Sequence, residues 1–201
     1  MRWLVAVLMC FPIGLLAQEG KWGQFKQLSW PEKRWVCWHP MAAAKAQKIS
    51  QEARFRSDSL LNSPVLDGDG QGGRVDAYRH AWWMARLAQE IGPRKAISLG
   101  KAHEKANHRA SRKGQSDGWH DRAAMEMDLK NNQAGAALVA KGEAITHQEL
   151  HQRILEAIQS GELWILAKDA QGNYLDCAGK PIPQSAWQGQ WITARCLQAS
   201  N

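Results

Sequence analysis

Three stretches of helical periodicity follow one another with almost no chain between them, at 75–91, 93–112 and 118–140. That succession confines the fold to packed helices, because the links leave no room for a strand between them. Gly92–Pro93 separates the first two stretches and "KGQSDG" the next pair. A helix at 41–61 precedes them, with Pro40 suited to its start, and another at 147–160 follows Gly142. After it, "LWILAKDAQGNYLDC" reads as strand, turn, strand, bending at Gln171–Gly172–Asn173. The expected architecture is mainly α: a helical bundle-like single domain, its polar site within 41–161, with a small C-terminal β-hairpin and tail at 162–201.

The first residues, "MRWLVAVLMCFPIGLLA", place one arginine before an apolar run and a small residue, the layout of a signal peptide over 1–17. The expected product is exported, periplasmic or secreted, and no later stretch is apolar enough to span a membrane. Residues 18–40, with Trp22, Trp30, Trp35 and Trp38 among prolines and charges, read as an irregular arm.

Loss of Arg2 with the leader lowers the net charge by one from +7. A basic protein outside the cytosol favours an anionic envelope polymer or a lipid surface, and a solvated basic face without a partner fits equally. Nucleic acid is disfavoured, because the basic residues are scattered singly along helix faces. Cys177 and Cys196 are spaced to pair in an oxidising compartment, leaving Cys37 over, with free thiols as the alternative.

Each helix places polar groups where apolar ones belong. On 75–91 the stripe Trp83, Met84, Leu87 and Ile91 continues backward to His80 and Asp76. On 93–112, Lys101 and Lys105 mark the wet face, His103 falls in the middle of the opposite face and Glu104 on its edge beside Gly100. On 118–140, Asp121, Asp128 and Asn132 run down the packing face with Asn131 at its margin. Buried groups of this kind must find one another, water or an ion, so convergence on one polar centre is expected.

Such a centre suits acid/base chemistry, with Glu104 as the general acid/base, His80 and His103 handling protons, Asp128 orienting a histidine, and Asn131 or Asn132 donating to an anion. The same residues could bind zinc, manganese or iron. That form ranks second, because His103 and His108 do not make the HExxH spacing, and the sequence names no cofactor. In "NSPVLDGDGQGG", Asp67, Asp69, Gln71 and Gly72 match half a calcium loop. Arg74 and Tyr78 break the match, which leaves a turn. "WHD" at 119–121 faintly resembles the His-Asp pair of secreted phospholipases but lacks the flanking cysteines, and is set aside.

"DAYRHAWWMARLAQEIGPRKAISLGKAHEKAN" together with "MDLKNNQAG" resembles an uncharacterised bacterial family, a domain of unknown function with the pattern DAxRHAxW, AHE and MDLxNN, found in exported and toxin-like chains. The likeness covers 76–135, and the 41–61 helix fits it. It implies a common site at Asp76, Arg79, His80, His103, Glu104, Asp128, Asn131 and Asn132, with Asp76, Arg79, Asn131 and Asn132 on the substrate side, but brings no established reaction. The inward polar faces make a hydrolase of the cell envelope the leading expectation. The alternatives are a non-catalytic envelope protein with a structural polar core and a binding module for anionic polymers.

Overall fold

A computed structural model describes residues 23, 25–115 and 118–201. The leader expected at 1–17 lies outside them. The mainly helical fold is as expected: α1 (Trp30–Trp38), α2 (Pro40–Asp58), α3 (Arg74–Ile91), α4 (Pro93–Arg112), α5 (Arg122–Ala137) and α6 (His147–Gln159) precede a small C-terminal sheet. No helix among the described residues is long and apolar enough to cross a membrane.

The arm at 18–40 is the main departure from expectation, since 30–38 are helical. Pro31 sits in the first turn, and the Glu32 carboxylate reaches back to accept from the Ser29 N–H at 3.0 Å. A Ser followed three residues later by Glu is the sequence signature of a helix start, and the tryptophans around it hid the signal.

α3 is the hub. Its sequence reads as amphipathic, yet Tyr78, Ala81, Trp82 and Ala85 pack toward α6 residues Leu150, Ile154 and Ile158. Met84, Leu87, Ala88 and Ile91 pack with Ala46 and Ile49 of α2 and Ala96 and Leu99 of α4. A helix covered on so many sides has no wet face to spare for Asp76 and His80, so both are buried. Close approach of α5 to α3 depends on Gly135, where an added Cβ would stand 2.6 Å from the Ala81 Cα. Gly100 plays the same part on α4, facing Asn132 and Met84.

At the C-terminal end, β1 (Trp164–Leu166) pairs antiparallel with β2 (Leu197–Ala199), Trp164 opposite Ala199. The turn at Gly172 forms as expected and is closed by a single bridge between Lys168 and Tyr174, while the regular ladder of β1 is made with the chain end. Cys177 and Cys196 form a disulfide, and Cys37 is free and exposed. The 67–72 segment is a turn: Asp67 accepts from the Asp69 and Arg74 N–H groups, and Asp69 pairs with Lys168.

Candidate functional site

Asp76 and His80 lie one helical turn apart on α3, so both side chains leave the same face. That face meets Asp128 of α5: His80 Nε2 is 3.2 Å from Asp128 Oδ1 and 3.5 Å from Asp76 Oδ1. The other ring nitrogen, Nδ1, is 3.0 Å from the Asn132 side-chain oxygen, one turn beyond Asp128 on α5. A carboxamide oxygen only accepts, so Nδ1 carries a hydrogen, and Nε2 faces the two carboxylates.

Asp76 is held in place by its surroundings. Its Oδ2 accepts from the Gly72 N–H at 2.7 Å and its Oδ1 from Arg79, whose guanidinium also donates to the Gly70 carbonyl. Gly72 has φ +89°, and a Cβ there would also strike Leu166, so no other residue presents this N–H without strain.

Glu104 enters from α4 and is only 2 % exposed. Its Oε2 lies 3.1 Å from His120 Nε2, and His120 comes from the connection just before α5. Glu104, His120 and Asp128 form one cluster of possible ligand atoms, and Asp76, His80 and Asp128 form another; within each, the atoms lie within 4.8 Å of one another. Asp128 belongs to both.

Three buried polar atoms here have no hydrogen-bond partner: Glu104 Oε1, Asp128 Oδ1 and Asn132 Nδ2. The contact of Asp128 Oδ1 with His80 is close without being a hydrogen bond. Burial, with the Asp76 and Glu104 carboxylates nearby, holds the Asp128 carboxyl well above the usual aspartate range. Burial pushes Glu104 the same way, but the His120 bond and the surrounding imidazoles outweigh it and leave Glu104 below its ordinary value. Burial pushes His120 down, but its bond to Glu104 and the charge of Asp128 outweigh it and leave it raised.

The remaining expected residues take other places. His103 is not central: its side chain is 38 % exposed and its Nδ1 lies 2.9 Å from Glu32 of α1, which draws it to the rim. Asn131 binds the Trp164 backbone with both ends of its amide, donating to the carbonyl and accepting from the N–H at 2.8 Å each, so it pins β1 to α5, and its full burial closes it to a substrate. Arg79 braces Asp76 and lines a surface depression with Gly70 and Gln71. His120, set aside with "WHD", is the member of these clusters that sequence reasoning missed. Helical periodicity could not find it, because it precedes the helix that Asp121 caps. With its side chain 19 % exposed, it is the most accessible member of the two clusters.

The profile of a family described as a domain of unknown function, DUF6973, matches residues 33–162. The chain belongs to the DUF6973 family. The DUF6973 match encloses every member of both clusters and ends before β1 and the Cys177–Cys196 disulfide. Comparison with curated proteins and with solved structures finds no match.

Proposed function

We propose that this DUF6973 protein is an exported hydrolase of the cell envelope and that the centre around Asp128 is its active site, working on a bound divalent cation. The observation that supports it most is the pair of buried carboxylate oxygens, Glu104 Oε1 and Asp128 Oδ1, that lack donors beside two imidazoles. A core built only for stability satisfies such atoms, since each orphan costs about 1–3 kcal/mol. A transition metal takes carboxylate and imidazole ligands together and lowers the pKa of bound water toward neutrality, which supplies a nucleophile for hydrolysis. The donor set moves the metal-assisted form ahead of the purely acid/base one, with Glu104 and Asp128 as ligands. The partly exposed His120 edge is where a substrate reaches them. An anion would be held by the metal itself, since Asn131 is committed to β1.

The purified protein, loaded with zinc or manganese, is to be assayed on chromogenic esters, amides, glycosides and phosphate esters. Glu104→Gln and Asp128→Asn, each shown folded by circular dichroism, should lose at least 100-fold in the activity found. Unchanged activity in a folded variant removes the assignment. Variants that change thermal stability alone, in a chain that binds no metal, return the centre to a structural role.

A further inference from the structure

We propose that the centre holds two divalent cations side by side, with Asp128 shared between them, and that the ligand they take is a phosphate ester. The inference deepens the hydrolase reading and rests on it.

Each cluster has an imidazole and a carboxylate of its own, His80 with Asp76 and His120 with Glu104, and only Asp128 is common. The private pairs come from different elements: α3 supplies the first, α4 and the chain before α5 the second. A carboxylate has two oxygens, so one aspartate can serve both ions. Donors about 2.0–2.2 Å from a tetrahedral ion stand roughly 3.3–3.6 Å apart. His80 Nε2 already lies 3.2 and 3.5 Å from its two carboxylates, and His120 Nε2 lies 3.1 Å from Glu104.

A second observation does not depend on counting donors. Asn132 takes the Nδ1 hydrogen of His80 and so aims Nε2 at two carboxylate oxygens. A ligating histidine ordinarily donates its other nitrogen in just this way, which leaves Nε2 and the carboxylate oxygens to share an ion. On the other side of Asp128, Glu104 Oε1 is buried without a partner, the mark of an unfilled acceptor in the second cluster. One ion placed at His80 leaves that acceptor orphaned.

Charge selects the ligand. With Arg79 on Asp76 and three carboxylates, one divalent cation brings the centre to neutrality and two leave it with two positive charges. A carboxylic ester or peptide is neutral and gains nothing from that surplus. A phosphate ester is anionic, and its oxygens can span ions about 3.5–4 Å apart, which clamp the attacking and leaving oxygens of an in-line displacement. The hydrolysis consumes one water. Its oxygen forms the new bond to phosphorus while the bond to the leaving oxygen breaks with its electron pair, and that oxygen takes up the proton the water sheds.

Titration of the demetallated full chain with zinc, followed by elemental analysis after gel filtration, should give two equivalents per chain. Asp76→Asn and Glu104→Gln should each retain one, and Asp128→Asn should retain neither tightly. The manganese form should show a spin-coupled electron paramagnetic resonance signal, replaced by isolated-ion spectra in Glu104→Gln. Hydrolysis of bis(p-nitrophenyl) phosphate should appear with the second equivalent and exceed that of p-nitrophenyl acetate by at least 100-fold. If Asp128→Asn does not fold, the wild-type stoichiometry and coupled signal decide. One equivalent with an isolated-ion spectrum overturns the shared pair and leaves the hydrolase reading standing; none overturns both. Two equivalents with a preference for the acetate ester overturn the phosphate assignment.

Discussion

The Arg195 guanidinium lies on the Asp121 carboxylate with both side chains almost completely buried, its Nε donating to Asp121 Oδ2 at 2.8 Å and a terminal nitrogen to the Trp119 carbonyl at 2.7 Å. Asp121 at the same time caps α5 through the Ala124 N–H and accepts from Thr193. The residues on either side of His120 are therefore held by the C-terminal tail, and the tail fixes where the imidazole meets Glu104. Removing one partner of a buried pair leaves an uncompensated charge, at about 3–5 kcal/mol. Arg195→Met should lower the unfolding free energy by that amount in urea melts. Adding Asp121→Asn should recover part of it, and failure to recover any would show that the pair does not act as a unit.

The neighbouring disulfide closes a loop with a sequence separation of 19. A crosslink over a loop of that length stabilises by about 3 kcal/mol. The double variant Cys177→Ser/Cys196→Ser, or reduction of the wild type, should lose about that much in the same melts. Cys37→Ser, at an exposed free thiol, should leave them unchanged.

Helix periods and the inward direction of Asp76, His80, Glu104, Asp128 and Asn132 were legible because each belongs to a regular stripe. His120 was not, since a residue in a connection has no period to place it; tail contacts to its neighbours Trp119 and Asp121 hold it there. His103 was misplaced for a related reason: the dry face of α4 is real, but its rim is covered by α1, a helix hidden among tryptophans. Asn131 looked like a spare donor because the strand it binds lies 33 residues later in the chain.

Gly135 tests the packing that brings Asp128 to His80. A methyl group there meets the Ala81 backbone at 2.6 Å, and backbone cannot rotate aside. Gly135→Ala should destabilise by about 1–3 kcal/mol, the usual cost of overpacking, despite alanine's better helix propensity. Thermal melts check it. A gain in stability would mean that α3 and α5 do not approach as closely as described.

Glu32 links α1 to α4 through His103, and acid should release that link. Burial raises the carboxyl, but the bonds from His103 and the Ser29 N–H outweigh it, so it lies below its ordinary value of 4.5. A carboxyl depressed on folding stabilises fully above its unfolded value, and the contribution disappears as the pH falls through the lower folded value. Melting temperature should therefore fall more steeply below pH 4.5 in the wild type than in Glu32→Gln. Parallel curves would show that the Glu32 charge contributes nothing to the fold.

The tautomer of His80 can be read without any substrate. Because Asn132 offers an oxygen to Nδ1, nitrogen spectra of the neutral ring should show Nδ1 protonated and Nε2 bare, the reverse of the form free histidine prefers. Asn132→Leu keeps much of the volume and removes the acceptor, so the ring should turn toward Nε2–H, which then donates to Asp128 or Asp76 instead. That change satisfies the carboxylates internally and takes the lone pair away from any cation. The variant should thus bind zinc at least tenfold more weakly while its melting temperature falls little, consistent with the roughly 10–100-fold cost of removing a hydrogen-bond partner from a metal-ligating histidine. Unchanged zinc affinity with an unchanged tautomer would mean that another group orients the ring.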